Sequence, residues 1–593
     1  MKAILLKGGT IVDGTGRPEF VGDVLVEGDR IVEIRPLGSV GSDRGGVRLA
    51  GLDRGGAGSE GLDATASLRT LETLKDPNLQ MIDATGLIVS PGFIDAHAHS
   101  DAYLVIEPDA PSKVTQGITT ELNGQCGGSV APRYGEARLS SDWAAVLGER
   151  LTWRSLAEYR EVLAAVKPAI NTVQFIGHNT LRSSVVGYSA RELAREELQQ
   201  MERLLEQSLD AGGWGLTTGL IYQPGKYSTP EEVVALAKVA AAKGGYYATH
   251  MRSEGDQLLE SIDEVIGLVK QTGIKAEISH LKTGGKANWP KIDAVLEKIE
   301  DAMAEGLLLG SDRYPYCAAG TDLDIVLPDW AQVGGAPAEL ERLKVQSSRS
   351  KIVAEINAQD RDWSEVMIGG TWAEENKPFS GKTIREIVES LNCRIVESGA
   401  GDSGEEGDQT RCVSSVIRRF DDSHDSTIRT VSPGELITSI LLADGCKTGA
   451  FFFTMSEENL AKIYSRPWIV PGSDASLRAP WGPLGADHPH PRAYATMPEF
   501  YRRVRALGFS REETIARMTS AVADRFGIRG RGRIEQGAFA DLVIWNEAEF
   551  KAKATFTNPH QFTGGVKMVM TNGIVSYCDG KFTGARGGRF LER

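Results

Sequence analysis

Two histidines one residue apart, His97 and His99 in "PGFIDAHAHSD", stand directly after the apolar run "GLIVSPGFID", in a chain with only nine histidines among 593 residues. A strand sends alternate side chains to the same face, so the two imidazoles project together if strand geometry carries through them. Side by side they can grip one metal ion, although a strand end can also carry two polar residues with no such role. Comparable residues end other apolar runs: Cys126 in "LNGQCGG", His250 in "YATHMR", His280 in "EISHLK" and Asp474 in "PGSDAS". One histidine of this kind is more often a satisfied core group than a ligand. Six ligand-type residues at strand ends are hard to explain as accidents if a single mouth collects them. Imidazole with thiolate favours Zn²⁺ over Mg²⁺ or Ca²⁺, which prefer all-oxygen shells. Taken alone, Cys126 reads more simply as a small residue in a tight Gly-Gln-Cys-Gly-Gly turn, and Asp474 can serve as a helix cap.

The elements that must position these residues are legible as eight candidate buried strands: "GLIVSPGFID", "GITTELNG", "NTVQFIGH", "GWGLTTGL", "GYYATHM", "KAEISHL", "GLLLGSDRY" and "RPWIVPGSD". Several are separated by helical periodicity, as in "PEEVVALAKVAAAK" and "GDQLLESIDEVIGLVKQTG". Eight strand-helix units predict an α/β fold, a closed (β/α)8 TIM-like barrel, which brings its strand C-termini to one mouth. An open doubly wound sheet is the alternative, but no GxGxxG loop follows the first strand. Alternating segments at both ends, "AILLKGGTIVDG" and "GDVLVEGDRIVEIRP" against "FADLVIWN" and "VKMVMTNGIVSYCDGKFTG", predict a small β-sandwich assembled from the two termini. The expected division is 1–86 for the first part of the sandwich, 87–524 for the barrel and 525–593 for the second part. A glycine-rich insertion, 38–63, interrupts the first part, and a polar stretch runs from 397 to 429. The long segment 320–465 between strands seven and eight is expected to be an elaborated loop with helices of its own, at the catalytic face and placed to act as a lid.

Bulk properties narrow the class. A formal charge of −14 argues against a nucleic-acid or anionic-membrane partner, since both need a basic face. No run reaches the roughly 18 apolar residues of a membrane span, and the N-terminus reads straight into strand and turn with no cleavage site. The six cysteines, Cys126, Cys317, Cys393, Cys412, Cys446 and Cys578, form no CxxC pair and no disulfide framework, so a reducing, cytoplasmic setting is expected.

Motifs along the chain resemble the amidohydrolase superfamily, and within it the D-aminoacylase (N-acyl-D-amino-acid deacylase) family. They are "PGFIDAHAHSD", "QGITTELNGQCGGSVAP", "GHNTLR", "GLIYQPG", "THMRSE", "ISHLK", "DRYPY", "GSDAS", "HPHPR" and "FADLVIW", with "GARGGRFL" near the end. The resemblance implies a metal-carrying barrel with a β-sandwich from both chain ends. Many amidohydrolases bridge two metals with a carboxylated lysine at the end of strand four; here that strand ends "GLTTGL", and Cys126 matches the family's cysteine ligand. By that match Cys126, His250 and His280 would hold one zinc tightly, while His97, His99 and Asp474 would frame a second position, weaker or empty.

The implied reaction is zinc-dependent hydrolysis of the amide of an N-acyl-D-amino acid, a small-molecule substrate, to a carboxylate and a free amino acid. Asp474 is the candidate base, able to take a proton from water and pass it to the leaving amine. The substrate's α-carboxylate needs a cation: Arg492 in "HPHPR" could grip it bidentately, and Lys282 adds positive charge. Tyr222 and Tyr314 could donate hydroxyl hydrogen bonds, and His178 reads as support for the site. One departure stands out: after "YPY" the chain reads "CAAGTD", where relatives show a Gly-Ser-Thr-like turn. Rival readings are a hydrolase of cyclic amides, which would need the absent strand-four lysine, another N-acyl or peptide-like amide as substrate, a metal-free scaffold, and a secreted binding module.

Overall fold

The computed structural model describes residues 3–37, 79–139, 143–398 and 430–593. The glycine-rich insertion 38–63, and all but the first two residues of 397–429, lie outside the described residues. The chain opens with β1 (Ala3–Ile11), β2 (Phe20–Glu27), β3 (Arg30–Pro36), β4 (Leu79–Asp83) and β5 (Ile88–Pro91). β1 pairs antiparallel with β2 and parallel with both β4 and β5.

Gly92 divides the run "GLIVSPGFID". A Cβ there would lie 2.2 Å from Thr119 Oγ1, so the chain can approach its neighbour this closely only at a glycine. Before it, β5 belongs to the terminal sheet; after it, β6 (Phe93–Asp95) pairs in parallel with β7 (Ile118–Asn123). The expected first barrel strand is therefore two strands in two sheets, and its pairing with β7 begins at Phe93.

β7 pairs with β8 (Asn171–Gln174), and one residue later β9 (Ile176–Gly177) opens a second parallel sheet. This sheet continues through β10 (Gly215–Gly219), β11 (Tyr246–His250), β12 (Lys275–Ile278) and β13 (Leu309–Arg313). The helices between these strands bury one stripe each. In the helix Leu258–Thr272, Leu258, Ile262, Val265 and Val269 face inward, and left-handed Gly273 ends it.

Next come β14 (Ala319–Asp322), β15 (Val366–Ile368) and β16 (Gly449–Phe452), an antiparallel sheet in the order β14-β16-β15. Around it, Leu323, Val326, Ile352, Ile356, Leu436, Ile437 and Ile440 form an apolar cluster separate from the main one. The described residues between Leu323 and Phe452 thus share a core of their own, while Leu460, Ile463 and Tyr464 pack into the main one. β17 (Ile469–Pro471) pairs with β13. Ala96 N donates to Pro471 O at 3.1 Å, and Ala98 bridges Ala475 in parallel, so the edge of the three-stranded sheet stands against the edge of the six-stranded one.

The last strands, β18 (Leu542–Trp545), β19 (Val566–Thr571), β20 (Ile574–Cys578) and β21 (Lys581–Phe582), join the first five through β18 on β5. Both ends contribute to one apolar cluster, with Ile4, Leu6, Val24 and Val26 from the start and Leu542, Ile544, Met568 and Met570 from the finish. Among the described residues, the hydrogen bonding of this terminal β-domain runs continuously through nine strands. Among the described residues, no helix is long and apolar enough to cross a membrane.

Candidate active site

Strand ends deliver the polar residues to one place. His97 and His99 follow β6, Cys126 follows β7, His250 ends β11, His280 follows β12 and Asp474 follows β17. Ligand atoms of His97, His99, Cys126 and Asp474 lie within 4.8 Å of one another, and so do those of Cys126, His250 and His280. Cys126 belongs to both groups. Its Sγ stands 3.3 Å from His97 Nε2 and 3.3 Å from His280 Nε2. Asp474 Oδ1 is 3.0 Å from His99 Nε2 and 3.4 Å from His97 Nε2.

The backbone is bent to reach this arrangement. Cys126 (φ +52°), His280 (φ +38°) and Asp474 (φ +49°) all occupy the left-handed region. For residues with a side chain this conformation costs on the order of 1–3 kcal/mol, and it persists only where neighbours over-determine it. Here the neighbours are visible. Asp474 N donates to His97 O at 2.8 Å, and His280 N donates to Asp312 Oδ1 at 3.0 Å.

Two carboxylates behind the site went unnoticed in the sequence. Asp312 Oδ2 is 3.2 Å from His97 Nδ1, which leaves Nε2 to face Cys126 and Asp474. Glu254 Oε1 is 3.0 Å from His280 Nδ1, and its Oε2 is 3.4 Å from His250 Nε2. Both had a signal: Asp312 ends a strand in "GSDRY", and Glu254 stands four residues after His250 in "THMRSE".

Burial and charge oppose one another throughout. Burial raises the Cys126 thiol, yet the His97 and His280 imidazoles outweigh it and bring the thiol well below its ordinary value. Burial likewise opposes ionisation of Asp474, but Arg492 and His280 hold its carboxyl well below the usual carboxylate range. His490 is pushed well below the ordinary histidine value by burial and by the adjacent Arg492 charge, so it is neutral. Tyr314 is the unusual phenol. Burial would raise it, but Lys282, Arg313 and Arg492 together lower it. The Tyr222 phenol is pushed well up by burial and by Cys126.

The four candidate substrate-binding residues all reach the same mouth. Arg492 Nη1 stands 2.8 Å from Asp474 Oδ2 as an ion pair without hydrogen-bond alignment, and its Nη2 donates to Gly320 O at 3.2 Å. Its guanidinium lies 4.5 Å from the Tyr314 ring centroid. Lys282 is committed more fully, to Glu254 and to His280, whose Nδ1 is 2.7 Å away. The Tyr222 ring packs edge-on against His250 at 4.9 Å between centroids, and its hydroxyl is 3.5 Å from Thr321 Oγ1. His178 does not enter the site. Its Nε2 is 2.8 Å from Glu232, which also holds Arg182, so it supports the wall behind β9.

Several buried polar atoms at the site make no hydrogen bond: both ring nitrogens of His250, the Tyr314 hydroxyl, and Nε and Nη1 of Arg492. Buried polar groups are ordinarily paired, so this concentration marks a place built for groups that come from outside the chain. Thiolate and imidazole donors facing one another suit zinc.

The model of the amidohydrolase family matches residues 80–313 and 449–577, more than half of the chain. This protein is an amidohydrolase. The match breaks across the stretch that contains the second apolar core. Along its whole length this amidohydrolase is similar to D-aminoacylase from Alcaligenes xylosoxydans xylosoxydans, at 29% identity over 100% of this chain and 97% of that protein. A solved D-aminoacylase with a binuclear metal centre has a TM-score of 0.73 at 28% identity, covering 100% of this chain and 99% of the other. The N-acyl-D-glutamate deacylase of Bordetella bronchiseptica, solved with zinc and a phosphonate mimic of the tetrahedral intermediate, has a TM-score of 0.71 at 27% identity, with coverage of 100% and 99%.

Proposed function

We propose that this amidohydrolase cleaves the amide bond of N-acyl-D-amino acids, releasing a carboxylate and a free D-amino acid. The observation that carries the reading is Cys126 shared between two ligand groups, with Asp474 and Arg492 beside it, in a chain similar from end to end to D-aminoacylase. Cys126, His250 and His280 would hold one zinc tightly; His97, His99 and Asp474 would frame a second, weaker position. Bound there, zinc would supply Lewis-acid chemistry, polarising the acyl carbonyl and making water acidic enough to attack near neutral pH.

The remaining work falls to the chain. Asp474 accepts a proton from the attacking water and delivers it to the leaving nitrogen, which must depart as an amine and not as its anion. Arg492 takes the substrate's α-carboxylate, for which Nε is without a hydrogen bond and Nη1 is held only by its ion pair with Asp474, while Lys282 adds charge from its place beside Glu254. Tyr222 and Tyr314 donate hydroxyl hydrogen bonds at the acyl group. A cyclic-amide hydrolase is disfavoured because β10 ends at Gly219 with no lysine.

The two parallel sheets are read as one closed (β/α)8 barrel, supported by the contacts of Ala96 with Pro471 and of Ala98 with Ala475. Residues 1–91 and 525–593 are read as the accompanying β-domain, supported by their common sheet. A cytoplasmic setting fits free cysteines at Cys126, Cys317, Cys393, Cys446 and Cys578. The test is amine release by zinc-loaded protein on matched N-acetyl-D- and N-acetyl-L-amino acids. Turnover confined to D-substrates supports the reading. Turnover of L-substrates or cyclic amides alone overturns it.

A further inference from the structure

Beneath the mouth lies a charged cluster that the reaction does not use. Lys113, Asp95 and Glu121 are all completely buried. Lys113 comes from the one-turn helix Pro111–Val114, Asp95 from β6 and Glu121 from β7. The Lys113 ammonium donates to Asp95 Oδ2 at 2.9 Å, to Ser473 Oγ at 3.0 Å and to Ala475 O at 3.0 Å, and Glu121 Oε2 is 3.2 Å away.

Two of these contacts bracket Asp474, one on the residue before it and one on the residue after it. Asp95 completes the grip. Its Oδ1 accepts from Ser473 N at 2.7 Å and from His97 N at 3.3 Å, and its Oδ2 accepts from Ser473 Oγ at 2.6 Å. Glu121 Oε2 accepts from Ser100 Oγ at 2.9 Å, and that hydroxyl in turn accepts from Leu477 N at 2.9 Å. The cluster thus ties together the backbone after β6 and after β17, where the two parallel sheets meet.

Buried ions are a poor way to gain stability, because apolar residues of like volume fill such a space as well or better. What a buried ammonium provides is direction, through three donors aimed at three fixed acceptors. Asp474 needs that direction: it sits in the left-handed region at φ +49°. We propose that Lys113 is a positioning residue for the reaction: through Ser473 and Ala475 it holds Asp474 in the conformation that turns its carboxylate toward His99, His97 and Arg492.

The inference rests on the reading of Asp474 as the proton carrier, and the experiment separates the two. Lys113→Met and Ser473→Ala are each made in the wild-type and in the Asp474→Asn backgrounds. Zinc per chain, kcat and KM are then measured on an N-acetyl-D-amino acid. Lys113→Met in the wild-type background should lower kcat by about tenfold or more with KM within about threefold and zinc content unchanged. Ser473→Ala should act in the same direction and less strongly, since it removes the hydroxyl that Lys113 and Asp95 share and leaves every charge and the Lys113–Ala475 bond in place.

In the Asp474→Asn background either change should alter kcat by less than about twofold, because groups that act through one another are not additive. Equal proportional losses in both backgrounds would show a general structural effect and overturn the proposal. So would wild-type kcat in both single variants, or zinc lost in step with activity. The Asp474→Asn protein alone tests the underlying reading: unchanged turnover there removes the proton role and the proposal with it. If Lys113→Met does not fold, Ser473→Ala in the two backgrounds decides.

Discussion

Arg492→Lys is expected to damage turnover in two separable parts. The arginine stands 2.8 Å from Asp474 Oδ2 through Nη1, donates to Gly320 O through Nη2, and keeps Nε and Nη1 without hydrogen bonds. Lysine retains the charge but has one nitrogen on a flexible stem. It cannot hold Asp474, reach Gly320 and present a fork to a carboxylate together. A charge-assisted hydrogen bond is worth roughly 1.5–3 kcal/mol. Losing the fork should therefore cost about 2–3 kcal/mol in kcat/KM on an N-acetyl-D-amino acid, roughly 30- to 150-fold. The looser hold on Asp474 persists whatever the substrate carries; the lost grip on the α-carboxylate does not. The assay measures initial rates of amine release by wild type and Arg492→Lys, each on an N-acetyl-D-amino acid and on the neutral amide of the same compound. The variant's penalty should be clearly smaller on the amide. Equal penalties on both substrates would refute the reasoning and leave Arg492 as a partner of Asp474 alone.

Three further outcomes are expected. Cys126→Ala removes the donor common to both ligand groups, so zinc should drop from about one per chain to well below that by elemental analysis; wild-type zinc content would exclude the thiolate. Asp474→Asn keeps the side chain's shape but removes the proton acceptor, so kcat should fall roughly 100-fold or more with zinc retained. Away from the site, burial would raise the Glu232 carboxyl, but hydrogen bonds and charge from His178 and Arg182 bring it below its ordinary value. A depressed folded pKa gives stability that is present above the unfolded value, about 4.3, and lost as pH falls through the folded one. The difference in Tm between wild type and Glu232→Gln should then be largest above about pH 5 and narrow below about pH 4. A constant difference across that range would mean that the carboxylate is not linked to folding.

Local pattern was enough to find the strand ends and the residue types upon them, because strand alternation and apolar runs are properties of neighbours in sequence. His97, His99, His250, His280 and Asp474 follow from that pattern, and Arg492 and Lys282 from the need for cations near them. Cys126 ends such a run too, but a cysteine among glycines reads more simply as a turn; the family resemblance makes it a ligand, and the structure brings four imidazoles around its sulfur. Gly92 likewise looks like one more residue in an apolar run. Only the contact with Thr119, which no local pattern reveals, splits that run between two sheets. The second core around Ile352 and Leu436 was hidden for a related reason: its helices are recognisable singly, but their common interior is assembled from residues as far apart as Leu323 and Phe452. Lys113 is the extreme case. In "PSKV" it looks like an ordinary surface lysine, and its partners Asp95 and Ser473 lie 18 and 360 positions away. Sequence alone determined which chemistry the chain can perform, because chemistry belongs to residue types. Tertiary structure decided which groups meet, which are buried, and what bends Asp474 into place, because those depend on contacts between segments far apart in the chain.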